Sequence, residues 1–172
     1  MGIKKSDADF CLRVRGDRLA AFLCTEDGKV VIIKDPNGYD ETEFVVSFVN
    51  NQVVIGQKAK DYLETHPESV IYDFFDMFGL TTDEISINDE WKFKVFESDG
   101  QDIEVGFIDG TKPCRMSVTN IMALFLHGIK KSVDDFLRYE TKKVQIHVQL
   151  GITKAQKENI FKAARMIGLQ TL

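Results

Sequence analysis

Residues 117–168 restrict the fold more than any other stretch of the chain. Residues 118–139 carry Ile121, Leu124, Phe125, Ile129, Val133, Phe136 and Leu137 at helical spacing, forming one apolar stripe. Ser117 stands where an N-cap is needed. Residues 144–150 then alternate, with Val144, Ile146, Val148 and Leu150 on one face and Gln145, His147 and Gln149 on the other. Thr153 and Gln156 have capping-box spacing and open a second helix to about Ile167, closed by Gly168. Helix, strand and helix in this order cannot bury their apolar faces on one another alone. They need a sheet, so the chain is α/β.

The strands for that sheet come first in the chain. Residues 1–9 read as a flexible tail, and residues 10–14, 19–24 and 30–33 as an antiparallel meander. Glu26-Asp27-Gly28 turns it, and Asp35-Pro36-Asn37-Gly38 stops it. Residues 44–49 and 53–55 are two more strands, and a short helix is expected over 57–64. Residues 70–78 are rich in aromatics and are expected to be helical, ended by Gly79. Thr81 and Glu84 repeat the capping-box spacing. Residues 91–96 and 103–108 read as a hairpin across Ser98-Asp99-Gly100. The expectation is one mixed sheet holding the meander and the 144–150 strand, flanked by the helices over 118–139 and 154–167.

Composition removes several functions. Hydrophobic residues are 44% and charged residues 28%, with a formal net charge of -5. A chain of this sign is not built around nucleic acid, because phosphate binding needs a basic surface. No apolar run approaches the roughly 20 residues that span a bilayer, and the polar start does not read as a secretory signal. Cys11, Cys24 and Cys114 lack metal-ligand spacing, as do His66, His127 and His147. An odd cysteine count without a leader suits reduced thiols in a cytoplasm. No Gly-rich phosphate loop or nucleophile elbow occurs.

Val54-Ile55-Gly56-Gln57-Lys58-Ala59-Lys60, Pro67-Glu68-Ser69-Val70-Ile71 and the run from Thr153 through Ala163-Ala164-Arg165-Met166-Ile167-Gly168-Leu169 resemble segments of the seventy-kilodalton heat-shock chaperones. The resemblance extends from about Phe10 to Leu172. It implies an actin-like ATPase (ribonuclease H-like) lobe, with a core subdomain over about 10–36 and 112–172 and an inserted helical and hairpin subdomain over about 37–111. It also implies that the chain stops where the family's first lobe ends.

The family's chemistry is altered at each matching position. Its phosphate-binding turn, Asp-Leu-Gly-Thr-Thr, needs open backbone amides, small residues and a carboxylate for hydrated magnesium. Here the turn reads Val14-Arg15-Gly16-Asp17-Arg18, and only Gly16 matches. Asp17 puts a negative charge where phosphate would sit. The family's Lys-Arg in the helix after Pro67 is replaced by Phe75-Asp76, and a phenyl ring cannot stabilise a phosphoryl group. The family's switch proline falls at Gln149, and its Thr-Thr-Pro loop at Glu41-Thr42-Glu43. Read this way, the chain is expected to be no enzyme, with no ATP, magnesium or other cofactor. It is expected to serve as a docking or regulatory subunit of a chaperone system. The segment from Asp73 to Leu80 and the run Ile167-Gly168-Leu169-Gln170 resemble the Ssz-type ribosome-associated branch, which implies a J-domain co-chaperone or a ribosome-bound factor as partner. Phe74, Phe75, Phe78, Met166, Leu169 and Leu172 are the expected partner surface, with self-association of the lobe as the other outcome. The alternative is a piece of an ATP-dependent folding chaperone that binds ATP and magnesium when its second lobe completes it.

Overall fold

The computed structural model describes residues 7–97 and 102–172. In chain order its strands are β1 (Phe10–Arg15), β2 (Arg18–Cys24), β3 (Val30–Ile33), β4 (Thr42–Glu43), β5 (Val46–Val49) and β6 (Gln52–Ile55). The short helix α1 (Gln57–Lys60) follows, then β7 (Val70–Ile71), β8 (Lys94–Phe96), β9 (Glu104–Asp109) and β10 (Lys112–Ser117). The chain closes with α2 (Val118–Leu137), β11 (Lys143–Val148), α3 (Lys154–Met166) and β12 (Gln170–Thr171).

The meander and β11 do share one six-stranded mixed sheet, in the order β12-β11-β1-β2-β3 with β4 beside β2. β1 lies parallel to β11 from Phe10↔Val144 to Val14↔Val148 and antiparallel to β2. Phe10, Leu12 and Val14 on β1 point into the core that Ile121, Met122, Phe125, Ile129 and Val133 of α2 enter from the other side. Ile160, Ala163 and Ala164 of α3 join the same core. Both helix starts have the caps their sequence announces. Ser117 Oγ accepts from the Asn120 amide at 3.1 Å, and Thr153 and Gln156 exchange reciprocal bonds at 3.1 and 2.9 Å.

Four expectations change. Residues 70–78 are not a helix: Val70–Ile71 pairs with β5, Asp73 takes a left-handed φ of 57°, and Phe74–Met77 is a single 3-10 turn. The proposed helix over 57–64 is α1 followed by a 3-10 turn at Asp61–Glu64. Leu150 lies beyond the end of β11 and is fully exposed, so the apolar face stops at Val148. The hairpin gains a third strand, because β10 pairs with β9 from Lys112↔Asp109 to Ser117↔Glu104. Residues 112–117 therefore sit in the hairpin sheet, and the chain re-enters the main layer only at Val118. The proposed turn Ser98-Asp99-Gly100 lies outside the described residues.

The end of α2 is tied to β11 by one network. Lys130 Nζ donates to Asp134 Oδ2 at 2.6 Å, and the Thr141 amide and hydroxyl donate to Asp134 Oδ1 at 2.9 and 2.6 Å. Burial alone pushes the Asp134 carboxyl up, but the bonds from Lys130 and Thr141 together outweigh it and hold it below the usual aspartate value of 3.8. A folded-state pKa that is depressed contributes stability above the unfolded value, lost as pH falls through the lower folded value. Replacing Asp134 with Asn is thus expected to lower stability at neutral pH and to flatten the fall of stability below about pH 4. Urea denaturation across a pH series checks both; an unchanged acid limb would remove Asp134 from the account.

Candidate functional site

The turn joining β1 and β2 is closed by Gly16, at φ 58°, and Asp17. Its open side faces a cleft of about 550 Å³. The segment Tyr72, Asp73, Phe75 and Asp76 also lines it, with Glu43, Phe44, Val45, Lys60, Leu63 and Glu90. The cleft is fixed by bonds at its rim. Trp91 Nε1 donates to Asp73 Oδ2 at 2.9 Å, and Tyr72 Oη donates to the Glu90 carbonyl at 3.1 Å. Lys60 Nζ meets Glu43 Oε2 at 2.8 Å.

The structure brings the expected turn and the expected lysine position into one cleft, since Gly16, Asp17 and Phe75 all line it. Val14 is fully buried in the sheet, and its carbonyl accepts from the Gln149 amide at 3.0 Å, so these two altered positions also meet. Arg18 is turned aside: its guanidinium lies 3.6 Å from Asp17 and 3.4 Å from Glu43. Phe75 stacks on Phe44 with ring centroids 4.9 Å apart. Glu43, Lys60, Asp73 and Glu90 join the site from separate elements, a gathering no local motif announces.

Most of the expected partner surface is interior. Phe74, Phe75, Phe78 and Leu169 are buried, whereas Met166 and Leu172 are about half exposed. The reason is the aromatic cluster. Phe44, Phe74, Phe75, Phe78 and Phe125 pack ring against ring, and the 3-10 turn points its phenyl groups at α2 rather than at water.

The electrostatics of the cleft run against anions. Asp17, Glu43, Asp73, Asp76 and Glu90 line it, with Lys60 as the one cation among the lining residues. Asp76 is held above the usual aspartate range by burial first, then by the charges of Asp73 and Asp17. No group of three or more His, Cys, Asp or Glu able to hold a metal ion occurs among the described residues.

A family model described as "Hsp70 protein" matches residues 16–172. The chain belongs to the Hsp70 family. Two curated Hsp70 relatives are the first and second members of the "Ribosome-associated molecular chaperone SSB" pair of Saccharomyces cerevisiae (strain ATCC 204508 / S288c). Each is 27% identical over 154 residues, covering 87% of this chain and 25% of the relative. The chain thus spans about a quarter of the length of these relatives. The mixed sheet flanked by α2 and α3 is a lobe of the actin-like ATPase fold of the Hsp70 proteins.

Membership corrects the expectation of no enzyme and no cofactor. Hsp70 proteins are ATPases that bind ATP with magnesium, and the match begins at Gly16, inside the altered turn. An altered turn on one lobe does not remove a chain from that class. This lobe on its own supplies few of the side-chain groups that a magnesium-bound triphosphate calls for. Val14 is buried and carries no carboxylate for the metal, Phe75 brings no charge, and the cleft's one cation is already paired with Glu43.

Proposed function

We propose that this chain is one lobe of the nucleotide-binding domain of a ribosome-associated, ATP-dependent folding chaperone, cytoplasmic, with a docking or regulatory share of the work. ATP and magnesium are held when a second lobe completes the cleft. The observation that carries this reading is the family match over 16–172, laid on a lobe whose cleft at Gly16 and Asp17 opens outward. The names of the two yeast relatives favour work at the ribosome. The division stays a core subdomain over about 10–36 and 112–172 with an insertion over about 37–111, although β4 joins the six-stranded sheet from within the insertion and residues 112–117 pair in the hairpin sheet. The half-exposed Met166 and Leu172 are the docking positions that remain from the sequence reading, for a J-domain co-chaperone or a ribosome-bound factor.

Two measurements test this. Tagged chain sedimented through a sucrose gradient should travel with ribosomes and be released by salt. A chain that stays at the top and captures no chaperone or ribosomal protein contradicts the docking share. Calorimetry with Mg-ATP tests the nucleotide share. Asp17 is mostly exposed, and a like charge at about 4 Å costs roughly 1 kcal/mol in water. Asp17→Thr should therefore tighten Mg-ATP binding by about fivefold. Equal or weaker binding by the variant would place the phosphates elsewhere.

A further inference from the structure

The outer face of the hairpin sheet carries a second groove, of about 390 Å³, on the far side from the residues that feed the core. Its construction follows from strand register. β8 and β10 flank β9, with Lys94↔Gly106↔Arg115 in one row across the sheet. Ile108↔Pro113 forms the next row, and Lys92, just before β8, lines the same groove as Lys94. Ile108, Pro113 and Phe96 make the apolar floor and wall.

One wall is rigid. The Phe96 ring lies so close over Gly106 that a Cβ there would meet it at 2.6 Å. The Arg115 guanidinium stacks on that ring 4.1 Å from its centroid, pairs with Glu104 and donates to the Glu97 carbonyl at 2.9 Å. Arg115 is thus held in place. Lys92 and Lys94 are exposed and have no hydrogen-bond or ion-pair partner among the described residues. Glu68 is the one carboxylate among the lining residues. On a chain of net charge -5, this is a local reversal of sign joined to an apolar floor.

We propose that this groove docks an extended acidic peptide segment of a protein partner, with carboxylates facing Lys92 and Lys94 and an apolar side chain seated on Ile108 and Pro113. Alternate side chains of an extended peptide share one face, so neighbouring carboxylates can meet both lysines. A nucleic acid is the poorer fit. Its phosphates need a long basic track, and here Glu104 pairs with Arg115 and Glu68 lines the groove beside the lysines. The groove is separate from the nucleotide cleft, so this proposal stands whether or not the chain holds ATP.

Fluorescence anisotropy tests it on the 172-residue chain. The probe is a labelled peptide of alternating Glu and Leu with a central Phe. The comparison probes are the same peptide with Lys for Glu, and a labelled single-stranded oligoribonucleotide. The acidic peptide should bind saturably and weaken with salt. Lys92→Glu with Lys94→Glu should weaken it by about tenfold or more, as charge reversal across an interface does. Lys142→Glu with Lys143→Glu should leave it unchanged. Circular dichroism verifies folding, and if the charge-reversed pair is misfolded, Lys92→Gln with Lys94→Gln decides by its own loss of affinity. No binding of the acidic peptide, equal binding of the basic one, equal binding by the lysine variants, or tighter lysine-dependent binding of the RNA overturns the proposal.

Discussion

Phe74→Ala is expected to lower the unfolding free energy by about 3–5 kcal/mol, the range for emptying a fully buried phenylalanine site. Phe74 has no exposed surface, and its ring lies 6.1 Å from Phe44, 6.4 Å from Phe125 and 6.5 Å from Phe78. Those contacts join the 3-10 turn Phe74–Met77, the chain after β4 and helix α2. Truncation leaves a void bounded by three stiff rings, none of which can swing into the space without leaving another partner. The neighbouring sheet pairs also hold the backbone of the turn, since Val70–Ile71 is hydrogen-bonded to β5. Collapse is therefore limited, and the cost falls toward the upper part of the range. Urea denaturation of the variant measures it. The same substitution separates core from docking surface. A sticky exposed patch loses association and keeps its stability when Phe74 is truncated; a core loses stability. A change below about 1 kcal/mol, the size seen for surface positions, would show that Phe74 is not packed as the structure has it.

This segment also shows where sequence reading stops. Ile71, Phe74, Phe75 and Phe78 fall at i, i+3, i+4 and i+7, the helical template itself. The spacing reports which side chains are buried, and a two-residue strand followed by a 3-10 turn buries the same four. The deciding feature is Asp73 in the left-handed region, which no apolar pattern encodes. α2, β11 and α3 were legible because each is long and has either a stripe, an alternation or a cap. β10 was not, because Lys112, Pro113 and Arg115 make it polar and proline-bearing. An edge strand tolerates both, since its outer backbone groups need no partner within the sheet. At the cleft, the turn at Gly16 and Asp17 and the position of Phe75 were legible through the resemblance. Glu43, Lys60, Asp73 and Glu90 were not, because they meet only when β4, α1 and the 72–91 region fold together. Reading the altered positions as loss of ATPase character failed for a related reason: side chains at one turn report local fit, whereas the class is carried by the whole of residues 16–172.

Gly79→Ala is expected to cost about 2–5 kcal/mol, from two separable sources. Gly79 has φ +72°, where an added Cβ costs about 1–2 kcal/mol by its clash with the following carbonyl. That Cβ would also stand 2.2 Å from the Ala155 Cβ and 3.5 Å from its Cα, so the first turn of α3 has to move. Overpacking of this kind adds about 1–3 kcal/mol. Displacing α3 there disturbs the Thr153–Gln156 capping box and the bond from Gln156 Nε2 to the Phe75 carbonyl, 3.3 Å long, that joins α3 to the aromatic turn. A double-mutant cycle divides the cost. Ala155→Gly alone should lose about 1 kcal/mol of helix propensity. In the Gly79→Ala background the same change opens the space that the new methyl needs, so the double variant should be more stable than the sum of the singles by about 1–3 kcal/mol. The backbone share remains, because Ala155→Gly does nothing for φ at position 79. Urea midpoints for the four proteins supply the cycle. Strictly additive losses would mean that Gly79 and α3 do not touch, and that the close approach between the aromatic segment and the last helix is absent in solution.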